Sequence, residues 1–275
     1  MPRVTAEKRR AFRELHSKGC FVIPNPWDLG SARMLEQLGF KALATTSSGF
    51  AWSQGRADSE VPRNMVLEHL RAICGATDLP VNADFEAGYA NSPSGVAESV
   101  RMAIATGVAG LSIEDATYDD ADPLRSIDDA VERLRAARAA IDEAGGDVML
   151  VGRAENFIVG RPDLDDAIRR LKAYSEAGAD CLYAPGIKTR EQITAVVKAV
   201  APKPVNLLIG FPSDLSVADA EAMSVRRISV GGALARMAWA GFLQGAKTIA
   251  EKGRFDAFAY AASGKDLNEA FSDAK

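Results

Sequence analysis

Asp84 and Glu86 stand one residue apart at the end of the short apolar run Pro80-Val81-Asn82-Ala83, and Gly88 follows closely. If that run is a strand, alternation turns both acids to one face at its carboxyl end. Farther along, Gly110-Leu111-Ser112-Ile113 ends in Glu114 and Asp115, and Val148-Met149-Leu150-Val151-Gly152 ends in Arg153, with Glu155 close behind. Carboxylates gathered at the ends of successive parallel strands suit a hard divalent cation such as Mg²⁺, with Mn²⁺ as the alternative. Asp84, Glu86 and Glu114 are the candidate metal ligands, acting directly or through bound waters. Any one of them alone would read equally well as a helix cap or a rim partner of a lysine. Asp115, next to Glu114, should face the opposite way and is assigned a structural role.

Around these acids lie groups suited to an anionic substrate. Arg153 is a planar fork for a carboxylate or phosphonate, unless it is spent on a salt bridge to Glu155 or Glu114. Ser47-Ser48-Gly49-Phe50 offers hydroxyls and unpaired backbone amides in a turn after the second strand, which suits a carboxylate or a developing enolate. Asp58, in the loop Gly55-Arg56-Ala57-Asp58-Ser59-Glu60, could approach metal-bound water. Trp27 would wall the pocket or pack in the core. Asn206 and Tyr183 are polar groups in apolar strands, so each contacts a ligand or satisfies the barrel interior. The two histidines, His16 and His69, fall within helical patterns. No lysine lies inside a strand near these acids, which argues against a Schiff base, and no serine, histidine and acid set is arranged for acyl transfer. Electrophilic metal chemistry on an anion remains.

These groups need a scaffold that brings successive strand ends together. Eight short strands rich in Val, Ile and Leu are predicted near 20–24, 41–46, 79–84, 108–114, 147–153, 180–185, 204–209 and 226–230. Helical patterns follow at 28–38, 63–76, 94–106, 126–144, 163–177, 189–200, 216–223 and 232–252. Asp28, Ser94, Ser126 and Asp163 read as caps, and Gly39, Gly107, Gly145 and Gly178 close helices. Eight such units predict a single α/β domain over 1–275, a (β/α)8 TIM barrel spanning about 20–252, preceded by one helix at 5–18. The extension at 253–275 holds two further short helical patterns, whose apolar faces would be buried against another subunit. Three connections are long, 47–62, 115–125 and 154–162, and all follow strand ends where barrel enzymes carry their sites.

Composition narrows the partners. The chain has 275 residues and a net charge of −4. With a pI near 5.4, it has no basic field for nucleic acid. No apolar run approaches a membrane span. The first eighteen residues are charged and amphipathic, without an apolar signal core. Cys20, Cys74 and Cys181 are scattered without metal-ligand spacing, as suits a reducing cytoplasm.

Taken in order, five pieces resemble the isocitrate lyase/phosphoenolpyruvate mutase superfamily. They are Asn25-Pro26-Trp27-Asp28 with Ser31-Ala32-Arg33, Thr46-Ser47-Ser48-Gly49, Asn82 to Tyr89, Gly110 to Asp115, and Gly152-Arg153-Ala154-Glu155. The resemblance implies a (β/α)8 barrel, a Mg²⁺ site, and a homotetramer of dimers that exchange the terminal helix. It implies that Asp84 binds the metal directly while Glu86, Glu114 and Asp58 act through its waters. It further implies that Ser48, Gly49 and Phe50 hold substrate oxygens and Arg153 the carboxylate. Such enzymes cleave or form C–C or P–C bonds beside a 2-oxo acid through a metal-stabilised enolate.

The loop after the fourth strand departs from that pattern. Acyl lyases of the superfamily carry a Cys-Gly and a His there, and the phosphonate enzymes a Lys and an Asn-Ser pair. This chain has Ala116-Thr117-Tyr118-Asp119-Asp120-Ala121-Asp122-Pro123-Leu124-Arg125. Its aspartates would repel a phosphonate dianion. The expected activity is therefore a Mg²⁺-dependent carbon–carbon lyase or decarboxylase. Its substrate would be a small 2-oxo or 2-hydroxy dicarboxylate such as oxaloacetate or a methylisocitrate-like acid, with Tyr118 or a metal-bound water handling the proton. A phosphonopyruvate mutase or hydrolase and a non-catalytic 2-oxo acid binder are the alternatives.

Overall fold

The structure, a computed structural model, describes residues 3–272. Its centre is an eight-stranded parallel sheet: β1 (Phe21–Ile23), β2 (Leu43–Ala44), β3 (Val81–Asp84), β4 (Gly110–Glu114), β5 (Met149–Arg153), β6 (Cys181–Tyr183), β7 (Val205–Leu208) and β8 (Arg227–Ser229). The strands run in the order β1-β8-β7-β6-β5-β4-β3-β2. The Ala44 amide donates to Pro24 O at 3.0 Å, and the Asn25 amide group to Thr45 O at 2.9 Å, so β2 and β1 also meet. The result is the (β/α)8 barrel expected from the strand–helix alternation. Every strand core falls within its predicted window, because strands covered on both faces must be apolar throughout.

The surrounding helices are α2 (Leu29–Gln37), α4 (Arg63–Ala76), α5 (Pro93–Ile104), α6 (Ile127–Glu143), α7 (Leu164–Glu176), α8 (Arg190–Val200), α9 (Val217–Ala222) and α10 (Ala233–Lys252). Asp28, Ser126 and Asp163 cap α2, α6 and α7 as expected. The cap of α5 is Ser92 rather than Ser94, because Pro93 takes the first helical position, where its missing N–H costs nothing. The sequence reading missed α3 (Ser47–Ser53), which turns the predicted turn at Ser47-Ser48-Gly49-Phe50 into a helix capped by Thr46.

Helix α1 (Thr5–Leu15) closes the end of the barrel opposite the acids. Phe12 is fully buried and packs with Ile23, Met149, Val151 and Cys181 inside the barrel. Gly110 makes room for it: a Cβ there would lie 2.7 Å from the Phe12 ring. Arg9 anchors the helix by donating to Val108 O and Ile104 O, both at 3.0 Å. At the other extreme, α10 leaves only Ala235 buried, a 3-10 turn follows at Asp256–Tyr260, and α11 (Gly264–Ser272) returns to α2 of the same chain. No helix among the described residues is long and apolar enough to cross a membrane.

Candidate active site

The parallel register of β3, β4 and β5 decides which side chains meet. Glu114 is the direct cross-strand partner of Arg153, and Asp84 pairs with Ser112, two residues before Glu114 and therefore on its face. Arg153 Nη1 accordingly lies 3.0 Å from Asp84 Oδ1 and 3.1 Å from Glu114 Oε2, while its Nε donates to Glu155 Oε1. Tyr183, next door on β6, places its ring 5.1 Å below the guanidinium. The second oxygen of Asp84 accepts from the backbone N–H and the hydroxyl of Ser47, each at 2.9 Å, tying β3 to the first turn of α3.

A second tier of acids sits behind this pair. Glu114 accepts from the Tyr118 hydroxyl at 2.8 Å, and that oxygen accepts from the Ala87 N–H at 3.1 Å. Glu86 accepts from the Tyr89 hydroxyl at 2.8 Å. Tyr118 as a residue is 51 % exposed, although its hydroxyl is bonded to Glu114 and the Ala87 N–H. Glu86, Tyr89 and Tyr118 all adopt left-handed backbone angles, with φ of 46°, 52° and 62°.

The charge balance is lopsided. Asp58, Asp84, Glu86, Glu114 and Glu155 crowd one mouth, and Arg153 is the one cation among the described residues that pairs with any of them. Burial pushes the Glu86 carboxyl up to about 7, opposed by the Tyr89 hydrogen bond and reinforced by Asp84. Burial also raises Glu114 well above the usual carboxylate range, with Arg153 pulling the other way. Asp58 is raised by burial and by the facing Asp84. Burial disfavours the Arg153 charge, but Glu114, Glu155 and Asp84 more than restore it.

Beside this cluster opens a cavity of about 350 Å³. Of the residues singled out in the sequence, Ser47, Ser48, Asp58, Asp84, Arg153 and Asn206 line it. Trp27, Gly49 and Phe50 do not. The Phe50 ring turns inward and stacks on His69 at 3.8 Å, because α3 presents Ser47 and Ser48 to the mouth instead. The Gly49 N–H is taken by Thr46 Oγ1 at 3.3 Å as a helix cap, so it is no free donor. Trp27 packs behind Gly49, where an added Cβ would meet its side chain at 3.1 Å; Trp52 of α3 walls the cavity in its place. Glu86, Glu114 and Tyr118 lie one layer behind the lining. Among the described residues, no three acidic, histidine or cysteine side chains converge closely enough to hold one ion between them. The acids converge on a guanidinium instead.

Two cations at this cavity escaped the sequence reading. Arg227 is 2 % exposed and donates to Asn206 Oδ1 at 2.8 Å, while Asn206 donates to the Ser229 hydroxyl at 2.9 Å. Its only signal was a charge inside an apolar strand. Arg236, in the first turn of α10, stacks 4.7 Å from the Phe211 ring and donates to Gly210 O at the cavity edge.

Known proteins resemble this chain over most of its length. Residues 12–250 match the family model described as phosphoenolpyruvate phosphomutase. A structure from Burkholderia cenocepacia, provisionally described as a lyase/mutase, superposes with a TM-score of 0.94 at 45% identity, covering 98% of this chain and 97% of that one. The oxaloacetate decarboxylase of Paraburkholderia xenovorans is 30% identical over 237 residues, 83% of this chain and 76% of its own. Oxaloacetate acetylhydrolase bound to its product oxalate superposes with a TM-score of 0.84 at 28% identity, covering 98% and 94%.

The buried carboxyls predict a pH signature of the metal-free protein. A carboxyl whose folded-state affinity for protons is raised loses stability as pH climbs from its unfolded value, 4.5 for Glu86, through about 7. The melting temperature in chelator should fall over that window, and Glu86→Gln should flatten the fall. An unchanged slope in the variant would refute the assignment.

Proposed function

The chain belongs to the phosphoenolpyruvate phosphomutase family, within the PEP mutase/isocitrate lyase superfamily, and from that membership and the charge pattern of the cavity we propose a divalent-metal-dependent carbon–carbon lyase or decarboxylase of a small 2-oxo dicarboxylate. Oxaloacetate is the leading substrate. The carrying observation is the pairing of an acid-rich mouth with cations around one cavity, Arg153 beside Asp84 and Arg236 at the edge, with Arg227 at the floor. A dicarboxylate would engage a guanidinium at each end.

The donor chemistry fits Mg²⁺ or Mn²⁺. All candidate ligands are hard carboxylate oxygens, and three of the five acids share one guanidinium while Asp58 and Glu86 have no cation partner among the described residues, a surplus of negative charge that a dication would offset. Asp84 would be the direct ligand, since it lines the cavity from the end of β3, whereas Asp58, on a loop at the same cavity, and Glu86 and Glu114, one layer behind it, would act through water. When bound, such an ion supplies Lewis-acid stabilisation of enolate charge.

This chain's own residues do the rest. Arg153 would turn its outer N–H groups to the substrate carboxylate, held in place by Glu155 and Tyr183. Ser48 supplies a hydroxyl at the mouth, while the Ser47 hydroxyl holds Asp84 in place. Tyr118, whose hydroxyl is spent on Glu114, would orient that acid and sit one layer from the reacting carbon. Loss of CO₂ asks for no acid on the leaving group, which suits a loop without cysteine or histidine. The exposed Asp119, Asp120 and Asp122 of that loop disfavour a phosphonate.

We read the exposed apolar face of α10, Trp239, Phe242 and Leu243, as covered by further copies of this chain in a dimer of dimers. Light scattering should then give four times 29.3 kDa; a monomer at micromolar concentration would sink this part.

For the reaction, purified protein with Mg²⁺ should convert oxaloacetate to pyruvate and CO₂ and stop in chelator. Asp84→Ala should lower kcat/KM by at least about a thousandfold, the scale of a lost transition-state stabiliser. Full turnover by that variant would refute the metal role of Asp84.

A further inference from the structure

Asp115 points away from the cavity, is 1 % exposed, and accepts three hydrogen bonds on its carboxylate. Its Oδ1 accepts the Glu155 N–H at 2.8 Å. Its Oδ2 accepts the Tyr174 hydroxyl at 2.6 Å and Arg170 Nη1 at 3.0 Å. The same Nη1 donates to Arg125 O at 2.8 Å, and the Arg125 N–H donates back to Asp115 O at 2.9 Å. Arg170 Nε holds Asp166 at 2.7 Å, and Asp166 accepts from the Asn156 side chain at 2.8 Å. Asp166, Arg170 and Tyr174 are spaced four apart on α7, so they form one stripe along its inner face.

That stripe therefore grips three points, both stems of the 115–125 loop, at Asp115 and Arg125, and the chain leaving β5, at Asn156, while Asp115 in turn holds the Glu155 N–H. The first loop carries Tyr118, which orients Glu114. The β5 exit carries Glu155, which accepts from Arg153. Neither segment has regular structure of its own beyond the isolated bridge Ala116↔Leu124. A buried network whose charged members Asp115, Asp166 and Arg170 are all paired is a rigid anchor, because each of them left unpaired would bear a desolvation penalty; within it the Asn156 Oδ1 has no partner among the described residues.

We propose that Asp115, held by Arg170 and Tyr174, is a positioning residue that fixes Arg153 and the Tyr118 loop for substrate binding from behind the site. For its kinetic consequence this rests on the lyase reading above; for its structural consequence it does not. An asparagine at 115 keeps the acceptor for Glu155 but turns an amide toward two donors. Phenylalanine at 174 removes one donor and leaves the rest of the network, so it guards against a variant that fails to fold.

Two measurements on the full chain with Mg²⁺ test this. Hydrogen exchange in Asp115→Asn and Tyr174→Phe should quicken by about tenfold in peptides spanning 116–125 and 154–158, with β3 and β6 unchanged. KM for oxaloacetate should rise by about tenfold in Asp115→Asn, and less in Tyr174→Phe, with kcat within about threefold of wild type. Exchange that quickens evenly over the whole barrel, with kcat falling at constant KM, would mean bulk destabilisation and overturn the proposal. Unchanged exchange in both variants would overturn it as well. If the wild-type chain turns over no 2-oxo acid, the lyase reading fails and the exchange pattern alone decides the clamp.

Discussion

Arg153 is bonded at once to Asp84, Glu114 and Glu155, and the mouth of the barrel is organised around that one pairing. Its origin is register. β4 and β5 end level at Glu114 and Arg153, and Asp84 ends β3 two residues lower on the same face, so the three side chains point to one place. Removing one member of a buried ion pair typically costs about 3–5 kcal/mol, because the others are left facing like charge in a low dielectric. The same arithmetic explains why the cluster is only partly compensated as it stands: a guanidinium carries one charge, and Glu86 and Asp58 add acids it does not reach.

Around the cluster the backbone is held in conformations that side chains other than glycine's seldom adopt. Glu86, Tyr89 and Tyr118 are left-handed, and each either donates or accepts a hydrogen bond within the acid network. Conformations of this kind cost about 1–3 kcal/mol each and persist where the surroundings over-determine them. Here the surroundings are Tyr–carboxylate hydrogen bonds and the Ala87 amide. The acids behind Asp84 are thus fixed in position before any ligand arrives, which is what a site that must hold charge without reorganising requires.

Much of this was legible in the sequence. Buried parallel strands are apolar runs, helix caps are small polar residues, and acids that end such runs announce a common face; so the barrel, Asp84, Glu114 and Arg153 follow from local pattern. What escaped depends on distant parts of the chain. Helix α3 is seven residues long and starts with Ser-Ser-Gly, poor helix formers that only the Thr46 cap and close packing against Trp27 and Ala235 sustain. Trp27 and Trp52 exchange roles for the same reason. Arg227 is acceptable in a strand because Asn206 and Asn82 meet it across a closed barrel, and Arg236 reaches the mouth because α10 starts there. Neither closure can be read from a window of neighbours.

The central issue is whether the uncompensated carboxylates at the barrel mouth take up a divalent cation. Titration of the purified chain with Mn²⁺, followed by electron paramagnetic resonance, addresses it without reference to turnover. One ion should bind per chain, and Asp84→Asn should weaken it by at least about a hundredfold, the scale seen when a site's coordinating shell is disturbed. Absent binding, or equal affinity in the variant, would show that Arg153 alone satisfies these acids and that the site works without a metal at Asp84.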